Sequence, residues 1–261
     1  MDYKKIAIVA IILITISAIC VTGLSAADSE DKKSIDVYAG AGFSKVMPDL
    51  VAKFNEKYPN IEVNVKYGGS GELFSTIETQ KAGDVFMPAT YKYMGEAMNN
   101  SYMKNDTVKN ITENIPVIVV QKGNPHNIKK VADLANPDIK VGIGAKEGPA
   151  IGKNTEEILE KNNISNLTPT VTTTTVNQLL TYMASGQIDA TIIWKDMTVW
   201  EEGKDKIDVI EIPENQNKIS TVPIGILKFT KDQDSAQKFE DFIVSEDAKP
   251  IWEKWGFEIT S

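Results

Sequence analysis

Apolar positions along the chain switch between two periods. IDVYAGA (Ile35–Ala41) is a short apolar run that reads as a strand, after which Val46, Leu50, Val51 and Phe54 recur at helical spacing between Lys45 and Tyr58. Pro48 falls near the first turn of that helix, where proline is tolerated. IEVNVKY alternates as a second strand, Leu73 to Lys81 reads as a helix, DVFMPA (Asp84–Ala89) as a third strand, and a helix follows around Met94. A second series begins at IPVIVVQKGNP (Ile115–Pro125). It continues as strand KVGIGA (Lys140–Ala145), helix Gly152–Lys161, strand TPTVTT, helix Val176–Ser185 and strand DATIIW (Asp189–Trp194). IDVIEIP and STVPIGILKF follow, then helices at Ser235–Val244 and Ala248–Trp255. This alternation predicts an α/β protein of two lobes, each a mainly parallel sheet flanked by helices.

Four turns that follow strands and open helices are built of small residues: AGAGFS (Ala39–Ser44), GGSGE (Gly68–Glu72), EGPAIGK (Glu147–Lys153) and TTTTVN (Thr172–Asn177). In an open parallel sheet such turns lie at the carboxyl ends of the strands, where ligands bind. A helix start offers unpaired N–H groups and a partial positive charge, so it suits an anion. Glycine lets a ligand approach the backbone, and a serine hydroxyl adds a donor without charge. Each turn alone reads equally as an ordinary helix cap; four in register point to one anion site.

Composition narrows the chemistry. The chain has 261 residues and a net charge of −8, which disfavours nucleic acid and anionic membrane surfaces as partners. All 28 cationic side chains are lysine. Arginine's planar fork, the usual clamp for carboxylates and phosphates, is absent from the sequence, so any anion must be held another way. One cysteine (Cys20) and one histidine (His126, in the turn KGNPHN) allow neither a disulfide framework nor a zinc cluster. No G-x-S-x-G elbow and no Walker sequence is present, which argues against a hydrolase and against nucleotide binding. Lys4 and Lys5, the apolar run Ile6–Val21 and the small residues to Ala27 form a secretory signal pattern, residues 1–27, which predicts an exported protein. Ile19 before Cys20 is bulky for a lipidation signal; a lipid anchor, an uncleaved signal or a soluble form all stay open.

At these turns the chain resembles the molybdate/tungstate-binding proteins of ABC importers, a branch of the type II periplasmic binding fold. The likeness runs from Ile35 to Ile259, through AGAGFS, GGSGEL, KAGDVFMPA, GIGAKEGPAIGK and WGFEI in order. The resemblance implies lobe 1 from residues 34–113 and 222–261 and lobe 2 from residues 114–221, joined by a two-strand hinge near Ile115 and Ser220. It implies oxyanion contacts at Gly42, with Phe43 and Ser44 beside it, at Ser70 and Gly71, at Ala150, at Val176 and at Trp194. Two positions depart from the family: Gly42 stands where a serine is usual, and Trp194 where a tyrosine is usual. Carboxylates that expand the metal's coordination in some relatives are replaced here by Ile193 or offset at Glu147. The expectation is therefore a tetrahedral molybdate or tungstate, reached only through its oxygens and held by neutral donors. The same resemblance implies no enzymatic activity, no cofactor, a membrane permease as partner and a monomer. A sulfate, phosphate or other anion receptor on the same fold is the alternative, with a secreted enzyme or an envelope interaction module behind it.

Overall fold

The computed structural model describes residues 32–259; the signal pattern and Cys20 lie outside them. Two five-stranded sheets organise the chain, and they repeat one plan. The first runs β2-β1-β3-β10-β4, with β1 at Lys33–Gly40, β2 at Ile61–Gly68, β3 at Val85–Met87, β4 at Lys109–Asn114 and β10 at Ser220–Ile226. The second runs β7-β6-β8-β5-β9, with β5 at Pro116–Gln121, β6 at Val141–Gly144, β7 at Val171–Thr173, β8 at Ala190–Trp194 and β9 at Ile207–Glu211.

Each sheet is mixed rather than mainly parallel. β1 pairs in parallel with β2 and β3, and β6 with β7 and β8. β10 and β5 run antiparallel to their neighbours on both sides. The reason is the path of the chain. It leaves the first sheet through β4 and enters the second at once through β5; it returns from β9 into β10. A strand that arrives from the other sheet comes without a crossover helix and enters against the parallel direction.

The apolar periods become the two cores. Ile35, Val37 and Ala39 of β1 are fully buried, as are Val117, Ile118 and Val119 of β5. The helices turn their apolar faces inward. They are α1 (Val46–Lys57), α2 (Ser70–Gln80), α3 (Tyr91–Asn99), α4 (Ala150–Lys161), α5 (Val176–Ala184), α6 (Gln233–Ile243) and α7 (Lys249–Lys254). Leu50 and Phe54 of α1 are fully buried, and Phe54 meets Phe239 of α6 edge-on at 5.3 Å. The C-terminal aromatics close the first core: Trp252 and Phe257 stack around Phe43 at 6.1 and 5.9 Å.

Asp84 and Glu72, read from sequence as structural, have ordinary surroundings. The Asp84 carboxylate accepts the Asp36 N–H at 2.7 Å and the Thr230 hydroxyl at 2.6 Å, tying β3 to β1 and to the loop after β10. Glu72 is exposed in the first turn of α2, where a carboxylate suits the helix dipole.

Candidate functional site

Three helices begin at the candidate residues themselves. Ser70, Ala150 and Val176 are the first residues of α2, α4 and α5, helices of 11, 12 and 9 residues. The local sequence explains why their N–H groups are left over. Before α2 stands Gly69 and before α4 stands Pro149, and neither has a side chain that caps. Before α5, Thr175 forms a capping box with Gln178: the Gln178 N–H donates to Thr175 Oγ1, and Gln178 Oε1 accepts from the Thr175 N–H. That box satisfies the amides on either side and leaves the Val176 N–H between them free. Among the described residues, none of the N–H groups of Ser70, Ala150 and Val176 meets an acceptor.

These helix starts converge on one small cavity of about 10 Å³ between the two sheets. From the first sheet's side it is lined by Gly40, Ala41 and Gly42, by Gly68, Gly69 and Ser70, and by Ala89; from the second it is lined by Pro149, Ala150, Val176 and Trp194. Every lining residue is uncharged. Drug-sized ligands need pockets of roughly 300–1,000 Å³, whereas a volume of this order is about that of one water-sized probe, so the cavity as closed here excludes all but a very small ligand. Trp194 is 2 % exposed, and its pyrrole edge faces the first turn: a Cβ built on Gly42 would stand 3.6 Å from Trp194 Cδ1 and 4.0 Å from Nε1.

Ser70 has a defined hydrogen-bonding state. The Ala89 N–H donates to Ser70 Oγ at 3.1 Å, which occupies a lone pair and leaves the hydroxyl hydrogen free. The cavity thus presents three helix-start amides, a hydroxyl and an indole N–H. All are donors and none is cationic. Among the described residues no group of three or more His, Cys, Asp or Glu stands close enough to hold a bare metal ion.

Gly42, Ser70, Ala150, Val176 and Trp194 are therefore brought together, while Phe43, Ser44 and Gly71 stand outside the lining. Phe43 points away into the C-terminal aromatic cluster and anchors the turn that carries Gly42. Ser44 Oγ accepts from Asn177 Nδ2 at 3.0 Å, across the cleft. The Gly71 N–H is already committed, donating to the Gly148 carbonyl at 3.0 Å. That bond explains the glycines of this turn. A Cβ on Gly69 would lie 2.7 Å from the Thr174 carbonyl oxygen, and one on Gly71 would lie 2.4 Å from the Glu147 carbonyl oxygen. The glycines let two turns from opposite sheets meet backbone to backbone.

Further contacts join the two sides. Lys45 pairs with Glu202, Lys195 with Glu258 at 3.5 Å, and Asn154 Nδ2 donates to Ser220 Oγ at 2.8 Å. Tyr93 Oη is buried without a partner beside Gly71, and burial, with Glu147 and Glu96 nearby, pushes its pKa up to about 12. His126 sits elsewhere, 3.4 Å from Asp189. Sequence reasoning missed Ala89 and the interlocked turns 147–148, since nothing in a linear pattern links them to residues 69–71.

The family model for bacterial extracellular solute-binding proteins matches residues 35–258. The chain belongs to this family. It is thus a transport protein acting outside the cytoplasm and not an enzyme, and its type II periplasmic-binding fold carries the cleft described above. Among its relatives, a binding protein of Haemophilus influenzae is 27 % identical, the match covering 97 % of this chain and 98 % of that one. The molybdate-binding protein ModA of Mycobacterium tuberculosis is 25 % identical over 93 % of this chain and 95 % of its own. Of solved structures, the substrate-binding domain of a candidate molybdenum ABC transporter from Clostridium difficile matches with a TM-score of 0.65 and 26 % identity, covering 87 % of this chain and 99 % of that one. The sulfate-binding protein SubI of Mycobacterium tuberculosis shares the fold, with a TM-score of 0.77 and 17 % identity over 88 % of each chain. No helix among the described residues is long and apolar enough to cross a membrane.

Proposed function

We propose that this solute-binding protein captures molybdate, and with it tungstate, as a tetrahedral dianion and delivers it to the permease of an ABC importer. The observation that carries the reading is the small uncharged cavity at which three helix starts, a serine hydroxyl and an indole N–H meet. Its ligand must be small, anionic and able to accept from every side. The molybdenum-linked relatives favour an oxometalate over other such ions.

The mechanism follows from the donors. Two lobes, residues 34–113 with 222–261 and residues 114–221, move about the crossings near Ile115 and Ser220. The open cleft admits the dianion. Gly42 and Ser70 approach it from lobe 1, and Ala150, Val176 and Trp194 from lobe 2. Closure seats the Gly69–Gly71 turn on residues 147–149 and excludes water, which strengthens each hydrogen bond to the charged oxygens. Such bonds contribute about 1.5–3 kcal/mol each, net of the exchange with water, and together they favour the closed, loaded form. Because fixed dipoles rather than lysines hold the charge, the ion leaves once the permease parts the lobes.

A cage of donors alone leaves size to separate molybdate from sulfate, and it discriminates little between molybdate and tungstate. Calorimetric titration of the mature chain with molybdate, tungstate, sulfate and phosphate tests this. Molybdate and tungstate are expected to bind alike and tighter than the other two. Sulfate binding as tightly as molybdate would convert the reading to a general dianion receptor, and no heat with any of the four would remove it. Ser70→Ala is expected to weaken molybdate binding by about 10- to 100-fold, one charged hydrogen bond's worth.

A further inference from the structure

Asn114 is the last residue of β4, immediately before the chain crosses from the first sheet to the second. Its side chain is 1 % exposed and only half used. Nδ2 donates to the Ala89 carbonyl at 2.8 Å, while Oδ1 meets no partner among the described residues. A buried acceptor left unpaired is costly, and an aliphatic residue would avoid the cost. An amide kept at such a place points to a requirement for its N–H.

The peptide that it holds is the one beside the ion cavity. Ala89 lines the cavity, its carbonyl accepts from Asn114, and its N–H donates to Ser70 Oγ. Asn114, Ala89 and Ser70 are thus joined by two hydrogen bonds; the Ala89 carbonyl and N–H belong to the two peptide groups on either side of its Cα, so the link acts by fixing the position of the Ala89 backbone. The last of the three is a hydroxyl whose acceptor side is occupied and whose hydrogen is free. The other end reaches the second crossing: Asn114 is opposite Ser220 at the first residue of β10, and Ser220 Oγ accepts from Asn154 of α4, four residues after Ala150.

We infer that Asn114 is a positioning residue for the bound oxyanion: by fixing the backbone on both sides of Ala89 it holds Ser70 Oγ as a donor, and it ties that donor to the crossing about which the lobes move. It never touches the ion. The inference rests on the proposed oxyanion reading, and its consequence is specific. Losing Asn114 harms binding only by loosening Ser70, so the two substitutions must not add.

The test is a double-mutant cycle on the full mature chain, with molybdate affinity read by calorimetry. Asn114→Ala is expected to weaken binding about tenfold in the natural background and less than twofold in the Ser70→Ala background. Equal losses in both backgrounds would overturn the inference, since a merely structural role adds independently. Should Asn114→Ala fail to fold, Asn114→Leu fills the space, removes the N–H without adding charge and carries the same expectation. A second readout needs no ligand: hydrogen exchange of the Ala89 amide. It should quicken at least tenfold in the Asn114 variants, and unchanged protection would overturn the claim that Asn114 holds the Ala89 backbone. If none of the oxyanions binds the natural protein, the ligand assignment falls, while Ala89 exchange still decides whether Asn114 holds this peptide.

Discussion

Replacing Gly71 with alanine separates binding from folding more sharply than any change to a donor. Gly71 is the second residue of α2, and its φ is outside the left-handed region, so alanine suits the local backbone. In a helix alanine is favoured over glycine by about 1 kcal/mol. The added methyl, however, would stand 2.4 Å from the Glu147 carbonyl oxygen, 3.1 Å from that of Gly148 and 3.2 Å from Tyr93 Oη. Two of these atoms are backbone of the opposing turn, so no side-chain rotation relieves the contact. The turns must part by about 1 Å to regain normal van der Waals separation. That breaks the Gly71 N–H bond to Gly148 and withdraws Ala150 and Val176, which follow in the same stretch and in the adjacent helix, from an ion seated against Ser70. Two charged hydrogen bonds at about 1.5–3 kcal/mol each make a loss of about 3–6 kcal/mol, or roughly 10²- to 10⁴-fold in Kd. Calorimetry with molybdate measures it, beside a thermal melt of the ligand-free chain. The melt should stay within a few degrees of the natural protein. A Kd within about threefold of the natural value, at unchanged Tm, would refute the claim that closure of these two turns forms the site.

Three further substitutions test separate parts of the site. Gly42→Ser restores the hydroxyl usual in the resembling family; its Cβ would make only ordinary contacts, 3.6 Å from Trp194 Cδ1 and 3.7 Å from Val176 Cγ1, so titration should show binding tightened by up to about tenfold. Trp194→Phe keeps a ring but removes the indole N–H, and molybdate should bind about 10- to 100-fold more weakly if that N–H is a donor to the ion. Asp196 lies two residues after Trp194, and burial pushes its pKa up to about 8. A carboxyl with a folded pKa above its unfolded one contributes most stability while protonated, so the natural Tm should fall as pH rises from about 4 to 8 and the slope should flatten above 8. Asp196→Asn should remove most of that slope and melt higher at pH 8; identical Tm–pH profiles of the two would count against the assignment.

How much of this was legible beforehand depends on what each residue's role requires. Strands such as Ile35–Ala41 and helices such as Lys45–Tyr58 were legible because burying one face imposes a period, and the period is local. β4 was not: KNITEN is polar, and only Ile111, Thr112 and Asn114 of its six residues are buried, so no apolar run marks it. Its omission also hid the antiparallel half of each sheet, which exists because β4 leads directly into β5. The turns that hold Ser70, Ala150 and Val176 could be singled out because a small-residue turn between a strand and a helix is a property of neighbouring residues, but the three positions themselves came from the family resemblance, since the periodicity begins two of the helices later, at Leu73 and Gly152. Gly71 was expected to contact the ion and instead donates to Gly148, 77 positions away, a partner that neither stretch reveals when read singly. The same limit applies to Asn114, whose contact with Ala89 spans 25 positions. A common physical cause underlies these differences. Under the proposed reading, a cavity lined by no charged side chain holds its dianion with weak dipoles gathered from several places, and no single dipole leaves a distinctive mark. What does mark them is the backbone freed to let them converge, so on that reading the small residues in this chain carry more information about its ligand than its 28 lysines do.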